Sequence, residues 1–280
     1  MAVAVAISDK NLNRQYTESS NPLWPDLKAQ PRSFFKAPLC TDLDDLNADV
    51  AFIGMPFNQG TFGKPGARFG PDAIRDASRT YSYADPYGQQ KEAEGFFDID
   101  IGGDLLSGVT MADYGHVTTL LSNVLNNFDK LTRSVGRVVS LGAFPVVVGG
   151  DHAITYQLVR GMSKFAPLNI VHFDAHLDFV DERHGVLYGH GNPMRRAAEK
   201  PWVSGLTQIG IRNVSSTARD GYEAARGMGS DILSVRQARA LGVEGLLARI
   251  PEGERYYLSV DIDAFDPSIA PGTGTPSHGG

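Results

Sequence analysis

The 280-residue chain is 42% hydrophobic and 21% charged and has no Pro/Ser-rich linker, which predicts one large core in a single α/β body. A formal net charge of -6 without a basic run argues against a nucleic-acid partner and mildly favours a cationic substrate, and no apolar run is long enough to span a bilayer. Cys40 is the only cysteine, so no internal disulfide can form, which suits the reducing cytoplasm where the protein is expected.

The first ten residues are apolar but lack the basic start and the length of a secretory signal. Residues 1–48 read as an irregular arm, broken by Pro22, Pro25, Pro31 and Pro38, that packs on the body or on a neighbouring subunit. The first strand is expected at 49–54. A glycine-rich loop follows without the Gly-Lys-Ser/Thr ending of a phosphate cradle, and Pro71 then sits in the first turn of a helix. Phe96-Phe97-Asp98-Ile99-Asp100 sets an Asp-x-Asp after an apolar pair, but no histidine accompanies it, and a structural role is expected. Between residues 112 and 141, Val117, Leu120, Leu121, Val124 and Leu125 recur at helical spacing and predict a helix that turns them to the core.

The apolar run at 144–149 predicts a strand with His152 just past its end, and a short helix follows over 153–164. Further strands are expected at 168–172, 206–212, 232–234 and 256–260, with a helix over 235–250 between the last two. Helices alternating with parallel strands make a sheet covered on both faces, whose ligands gather at the C-terminal edge of the strands.

Three strand ends share one grammar. Phe173-Asp174-Ala175-His176-Leu177-Asp178 places two carboxylates and an imidazole at alternate positions, so they can converge where the chain leaves the ladder. Gly149-Gly150-Asp151-His152 and Asp261-Ile262-Asp263 add a second imidazole and two more acids. His152, Asp174, His176, Asp178, Asp261 and Asp263 form a hard oxygen and nitrogen set that suits Mn²⁺ and accepts Zn²⁺, Ni²⁺ or Fe²⁺. Six ligands are generous for one ion. Bridging carboxylates point instead to a pair of divalent ions about 3.5–4 Å apart that share a nucleophilic water. The plainer alternative, strand-end caps, applies chiefly to Asp261 and Asp263.

At these residues the chain resembles the ureohydrolases, the arginase and agmatinase family. Gly149-Gly150-Asp151-His152, Phe173-Asp174-Ala175-His176-Leu177-Asp178 and Ser259-Val260-Asp261-Ile262-Asp263-Ala264-Phe265-Asp266-Pro267 resemble its metal motifs in order and spacing. Ala270-Pro271-Gly272-Thr273-Gly274-Thr275-Pro276 and Gly63-Lys64-Pro65-Gly66-Ala67-Arg68-Phe69-Gly70-Pro71 resemble two further family segments. The resemblance implies a three-layer arginase-like fold over residues 49–280, and two Mn²⁺ per subunit, with Ni²⁺ or another divalent metal as substitutes. It implies that Asp174 and Asp261 bridge the ions, that His152 and Asp178 complete one shell, and that His176 and Asp263 complete the other. A hydroxide bridging the ions would attack a guanidinium carbon to give urea and an amine. Asp178 would hold the hydroxide and His190 would shuttle the proton, leaving His184 as a solvated loop residue.

Agmatine is the leading substrate by resemblance. If Arg195 or Arg196 faces the pocket, guanidinobutyrate or guanidinopropionate becomes attractive. The alternatives are a small-guanidine or formimino hydrolase and a non-catalytic metal-binding subunit. The assembly implied is a homo-oligomer, trimeric or hexameric. The family's guanidinium-binding carboxylate lies beyond the segment that ends here at Gly280, so truncation at the C-terminus is expected.

Overall fold

A computed structural model describes residues 32–81 and 95–280; Pro22, Pro25 and Pro31 of the expected arm lie outside the described residues. The strands are β1 (Val50–Met55), β2 (Phe96–Asp98), β3 (Gly103–Leu105), β4 (Met111–His116), β5 (Phe144–Gly149), β6 (Leu168–Phe173), β7 (Val203–Ile211), β8 (Ser230–Ser234) and β9 (Tyr256–Val260). The α-helices are α1 (Gly70–Ser78), α2 (Val124–Ser140), α3 (Thr155–Gly161), α4 (Pro193–Ala198), α5 (Arg219–Gly227) and α6 (Val235–Leu247).

Alternating side chains bury β1 and β6 on both faces. In β1, Ala51, Ile53 and Met55 enter one core, whereas Val50 and Phe52 face the opposite side under Phe34, Ala37 and Met111. In β6, Leu168 and Ile170 join the first core, and Val171 and Phe173 pack with Ile209, Leu233 and Ala238 on the other side. Burial on both faces accounts for the near-continuous apolar runs of these strands. Helices α2 and α3 pack together over the first core, and α6 covers the second through Ala238 and Leu246. The result is three layers, helix on sheet on helix, as the alternation of elements predicts.

The parallel ladder is divided. Strands β4, β1 and β5 form one sheet and β8, β7, β6 and β9 another, and β5 and β9 share no ladder among the described residues. Side chains join the halves at this seam: Thr155 Oγ1 lies 3.1 Å from Tyr257 Oη, and His152 Nε2 lies 2.8 Å from Ser259 Oγ.

The helix predicted across 112–141 is shorter and turned differently. Residues 111–116 are β4 and residues 117–123 a loop, and α2 begins only at Val124, where the Asn123 side chain accepts the Asn126 N–H. Phe128, Leu131, Val135 and Val138 face the core, while Leu120, Leu121 and Leu125 are exposed. The run that looked helical from 117 is held as a loop by Asn127, which accepts the Leu120 N–H and donates to the Leu120 carbonyl. Strand β4 was hidden because its Asp113, Tyr114, Gly115 and His116 give no apolar alternation.

Asp113 is fully buried on β4 and accepts Arg75 Nε at 2.8 Å, Arg75 Nη2 at 3.1 Å and the Phe34 N–H at 2.8 Å. This pair fastens α1 and the single turn at Phe34–Lys36 to the sheet. The Asp-x-Asp at Asp98 lies in the exposed β2–β3 hairpin, where Asp98 Oδ1 accepts the N–H groups of Asp100 and Ile101. That is turn capping.

Candidate metal centre

Three parallel strands deliver their ends to one point. The turn after β5 needs Gly150: its φ is +82°, and a Cβ there would lie 2.5 Å from the Met55 carbonyl oxygen. Asp151 then caps the single turn that starts at His152 by accepting the Ala153 N–H at 3.0 Å. After β6, Asp174 N donates to the Ile209 carbonyl of β7, and Asp261 N donates to the Phe173 carbonyl. Asp178 stands at φ 50°, a left-handed conformation held by a bond from Met194 N to its carbonyl.

The six predicted ligands come together. His152 Nδ1 lies 2.8 Å from Asp178 Oδ2, 3.1 Å from Asp174 Oδ2 and 3.3 Å from Asp261 Oδ2. His176 Nδ1 lies 3.1 Å from Asp263 Oδ2 and 3.3 Å from Asp174 Oδ1. Asp174 therefore belongs to two clusters, one oxygen to each. His152 Nδ1 is buried and makes no well-formed hydrogen bond despite its three carboxylate neighbours. In each cluster the ligand atoms lie within 4.8 Å of one another, an arrangement that could hold a divalent cation, and Asp261 stands beside the first cluster at His152.

Electrostatics leads to the same requirement. Burial, and then the negative charge of Asp174, push the Asp261 carboxyl up to about 8. Burial also raises Asp263. Burial would raise Asp174 as well, but His172, His152 and His176 overcome it and hold Asp174 well below the usual carboxylate range. Burial lowers the His176 imidazole, and hydrogen bonds to Asp174 and Asp263 more than reverse that, bringing it up to about 10. Without a cation, protons must settle among these acids; two divalent ions would replace them.

A cavity of about 310 Å³ opens over the cluster, lined by His152, His176, Asp178, Asp261 and Asp263 at its floor and by His190. His190 N donates to the Gly60 carbonyl at 2.9 Å, and Gly60 N donates to Asp151 Oδ2 at 2.8 Å. The Phe62 N–H donates to His190 Nε2 at 3.1 Å, so a neutral ring carries its proton on Nδ1. Burial holds this imidazole below its ordinary value. His184 is exposed and does not line the cavity.

Arg195 and Arg196 do not face the cavity either. Arg196 lies 2.5 Å from Asp181 and 2.7 Å from Glu199, and Arg195 lies 3.2 Å from Asp181. They tie α4 to the loop before it.

Several contributors lie outside the metal motifs. His172 is fully buried in β6, and its Nε2 lies 2.8 Å from Asp174 Oδ2. Gln208 Nε2 donates to the Leu177 carbonyl at 2.7 Å and to His172 Nδ1 at 3.1 Å, and Ser230 Oγ donates to Gln208 Oε1. The alternation of 174, 176 and 178 extends back to 172, a signal already in the sequence. Thr275 Oγ1 donates to Asp263 Oδ2 at 2.9 Å. Arg183, Ser216 and Thr217 line the cavity wall, and nothing in their local sequence marks them.

Comparison with known proteins agrees with this geometry. The Arginase family model matches residues 48–280. The human mitochondrial guanidino acid hydrolase is 33% identical over 93% of this chain and 72% of its own length, and the mitochondrial agmatinase of Gallus gallus is 32% identical over 89% and 70%. The structure of proclavaminate amidinohydrolase from Streptomyces clavuligerus superposes with a TM-score of 0.75 at 32% identity, covering 90% of this chain and 80% of that one. With a three-layer α/β fold, a shared cluster of imidazoles and carboxylates at the strand ends, and a family match from residue 48 onward, the chain belongs to the arginase family of hydrolases.

Proposed function

We propose that the protein is a Mn²⁺-dependent amidinohydrolase that splits a guanidino compound, agmatine or a guanidino acid, into urea and an amine. The observation that carries this reading is Asp174, whose two oxygens face two different imidazoles beneath an open cavity. On this reading two cations would be held by the six residues, Asp174 and Asp261 serving both, His152 and Asp178 one, and His176 and Asp263 the other. When bound, such a pair acidifies a shared water and supplies the nucleophile at neutral pH.

The chain's own groups do the rest. Asp178 accepts a hydrogen bond from the attacking water and fixes its orientation. As the C–N bond breaks, the departing amine must gain a proton, and His190 Nδ1 is the atom left free to give it, since Nε2 is engaged by Phe62. Phe62, against the His190 ring at 5.7 Å between centroids, narrows the access of bulk water. The relatives named for guanidino acid and agmatine hydrolysis support the substrate class. Action in the cytoplasm rests on the lone Cys40, and a homo-oligomer rests on the family resemblance; both belong to the same proposal.

The test is urea release by the Mn²⁺-loaded full chain from agmatine, 4-guanidinobutyrate, 3-guanidinopropionate, arginine and free guanidine in parallel. Urea from at least one is expected. Two bound cations with no urea from any would overturn the proposal.

A further inference from the structure

The cavity is chemically polarised. Its floor is the buried cluster of acids and imidazoles, suited to a cationic end of a substrate held against divalent ions. Its wall carries a different set: Arg183 with Ser216 and Thr217. Arg183 is half-buried in the loop between β6 and α4, where it pairs with Val186 through two backbone bonds. Its Nη2 donates to the Ser216 carbonyl at 3.0 Å, and its guanidinium lies 5.5 Å from the centroid of the Phe62 ring. These contacts orient the group without neutralising it.

The nearest acids in sequence are occupied elsewhere. Asp181 is paired with Arg195 and Arg196, and Glu182 accepts the Gly185 N–H. Among the described residues, no carboxylate forms an ion pair with Arg183. Beside it, Ser216 Oγ and Thr217 Oγ1 are buried hydroxyls with no hydrogen-bond partner, and Thr217 is only 5% exposed. A buried hydroxyl without a partner is costly, and an arginine without a counter-ion at a cavity wall is a ready bidentate donor. Both deficits are met by one kind of ligand atom, the oxygen of an anion.

We infer that Arg183, Ser216 and Thr217 form a subsite for the distal carboxylate of an ω-guanidino acid, and that this subsite sets the enzyme's choice of substrate. The inference rests on the amidinohydrolase reading of the cavity and sharpens it. A zwitterion with a guanidinium at one end and a carboxylate at the other matches the floor and the wall together. Agmatine, with an ammonium in place of the carboxylate, would set like charge against Arg183 and leave both hydroxyls unfilled.

The experiment compares kcat/KM of the Mn²⁺-loaded full chain for 4-guanidinobutyrate, 3-guanidinopropionate and agmatine in wild type, Arg183→Met and Thr217→Val. Calorimetric binding of 4-guanidinobutyrate to the same proteins runs beside it. Wild type is expected to prefer the acids. Arg183→Met should lower kcat/KM for the acids by about 10- to 100-fold, mostly through KM, and shift the acid-to-agmatine ratio by a similar factor. Thr217→Val, which removes an unpartnered hydroxyl at constant shape, should shift the ratio the same way by a smaller factor, and it guards against a fold defect in the arginine variant.

A wild type that prefers agmatine, or acid-to-agmatine ratios unmoved in both variants while urea is still released, would overturn the subsite and leave the amidinohydrolase reading standing. Absence of urea from every guanidine would overturn that reading, and the calorimetry would still decide the subsite: acid binding lost with Arg183→Met upholds it, and equal binding rejects it.

Discussion

His172 Nε2 stands 2.8 Å from Asp174 Oδ2, and the proton between them belongs to the ring, because Gln208 Nε2 donates to His172 Nδ1 from the other side. The amide cannot be reversed, since its nitrogen end also faces the Leu177 carbonyl. A buried row, Ser230 to Gln208 to His172, thus orients the carboxylate that both clusters share. Replacing His172 with Phe keeps a planar ring, somewhat larger than imidazole, and removes the donor. The apparent Mn²⁺ affinity should fall by about 10- to 100-fold, as is typical when an outer-shell partner of a ligand is lost. Titration followed by Mn²⁺ paramagnetic resonance measures it, and an affinity equal to wild type would show that Asp174 needs no such support.

Asp174→Ala and Asp261→Ala should lose bound metal and turnover together, because Asp174 belongs to both clusters and Asp261 is the other carboxylate proposed to be shared by the cations. His190→Ala should keep the metal and lose rate, by about 10²- to 10⁴-fold for a missing proton donor. Elemental analysis beside single-turnover urea release separates the two classes. Unchanged turnover in either aspartate variant would end the two-cation reading.

Removing the cations should also weaken the fold, since the four acids must then be balanced by protons on themselves and on the imidazoles alone. For metal present at one hundred times its dissociation constant, the linkage is worth about 2.7 kcal/mol per site. Scanning calorimetry with and without chelator should show a lower transition temperature for the stripped protein. In Asp174→Ala the difference should shrink, and a chelator effect as large as in wild type would place the stabilising metal elsewhere.

Asp113→Ala leaves Arg75, only 4% exposed, with the half-exposed Asp72 as its remaining counter-ion and frees the Phe34 N–H. Breaking a buried pair from one side costs about 3–5 kcal/mol. Urea denaturation should report a loss of that order. A change below 1 kcal/mol, on the order of a surface pair, would mean that Asp72 and water suffice for the arginine.

His116 titrates below its ordinary value because it is partly buried and has Arg75 Nη1 2.5 Å from its Nε2; Asp72 and Asp113 oppose the shift. The unfolded chain therefore takes up this proton at a higher pH than the folded one. Stability from this group is full above the ordinary imidazole value of about 6.5 and is lost as pH falls through the lower folded value. His116→Gln should flatten the acid side of the stability profile. An acid limb as steep as in wild type would assign the slope to other groups.

The parts of the fold and site that could be read in advance were those written as short-range patterns. Residues 144–149, 168–173 and 256–260 are strands written as β-branched and aromatic runs, buried on both faces at 168–173 and on alternate residues at 256–260, and their ends carried the proposed ligands at spacings the ladder fixes. Strand β4 escaped because Asp113 and His116 serve a buried ion-pair network that replaces apolar packing. The register of α2 escaped because Asn123 and Asn127, both local hydrogen-bonding devices, override the apolar spacing around 117–125. Arg183 and Thr217 are more than thirty residues apart, and only the closure of the cavity brings them to one wall.

The glycine-rich loop after β1 has a use unrelated to phosphate. One peptide, Gly60, is gripped on its N–H by Asp151 and on its carbonyl by the His190 N–H. It is a gauge block: the thickness of a single amide fixes how far the ring proposed to donate the proton stands from the strand end that bears His152. A Cβ at this position would meet Ala153 Cβ at 2.5 Å and Asp151 Oδ1 at 2.8 Å, so any side chain there would prise the two apart. The spacing between His190 and the strand end that bears His152 is thus set by a residue that has no side chain of its own.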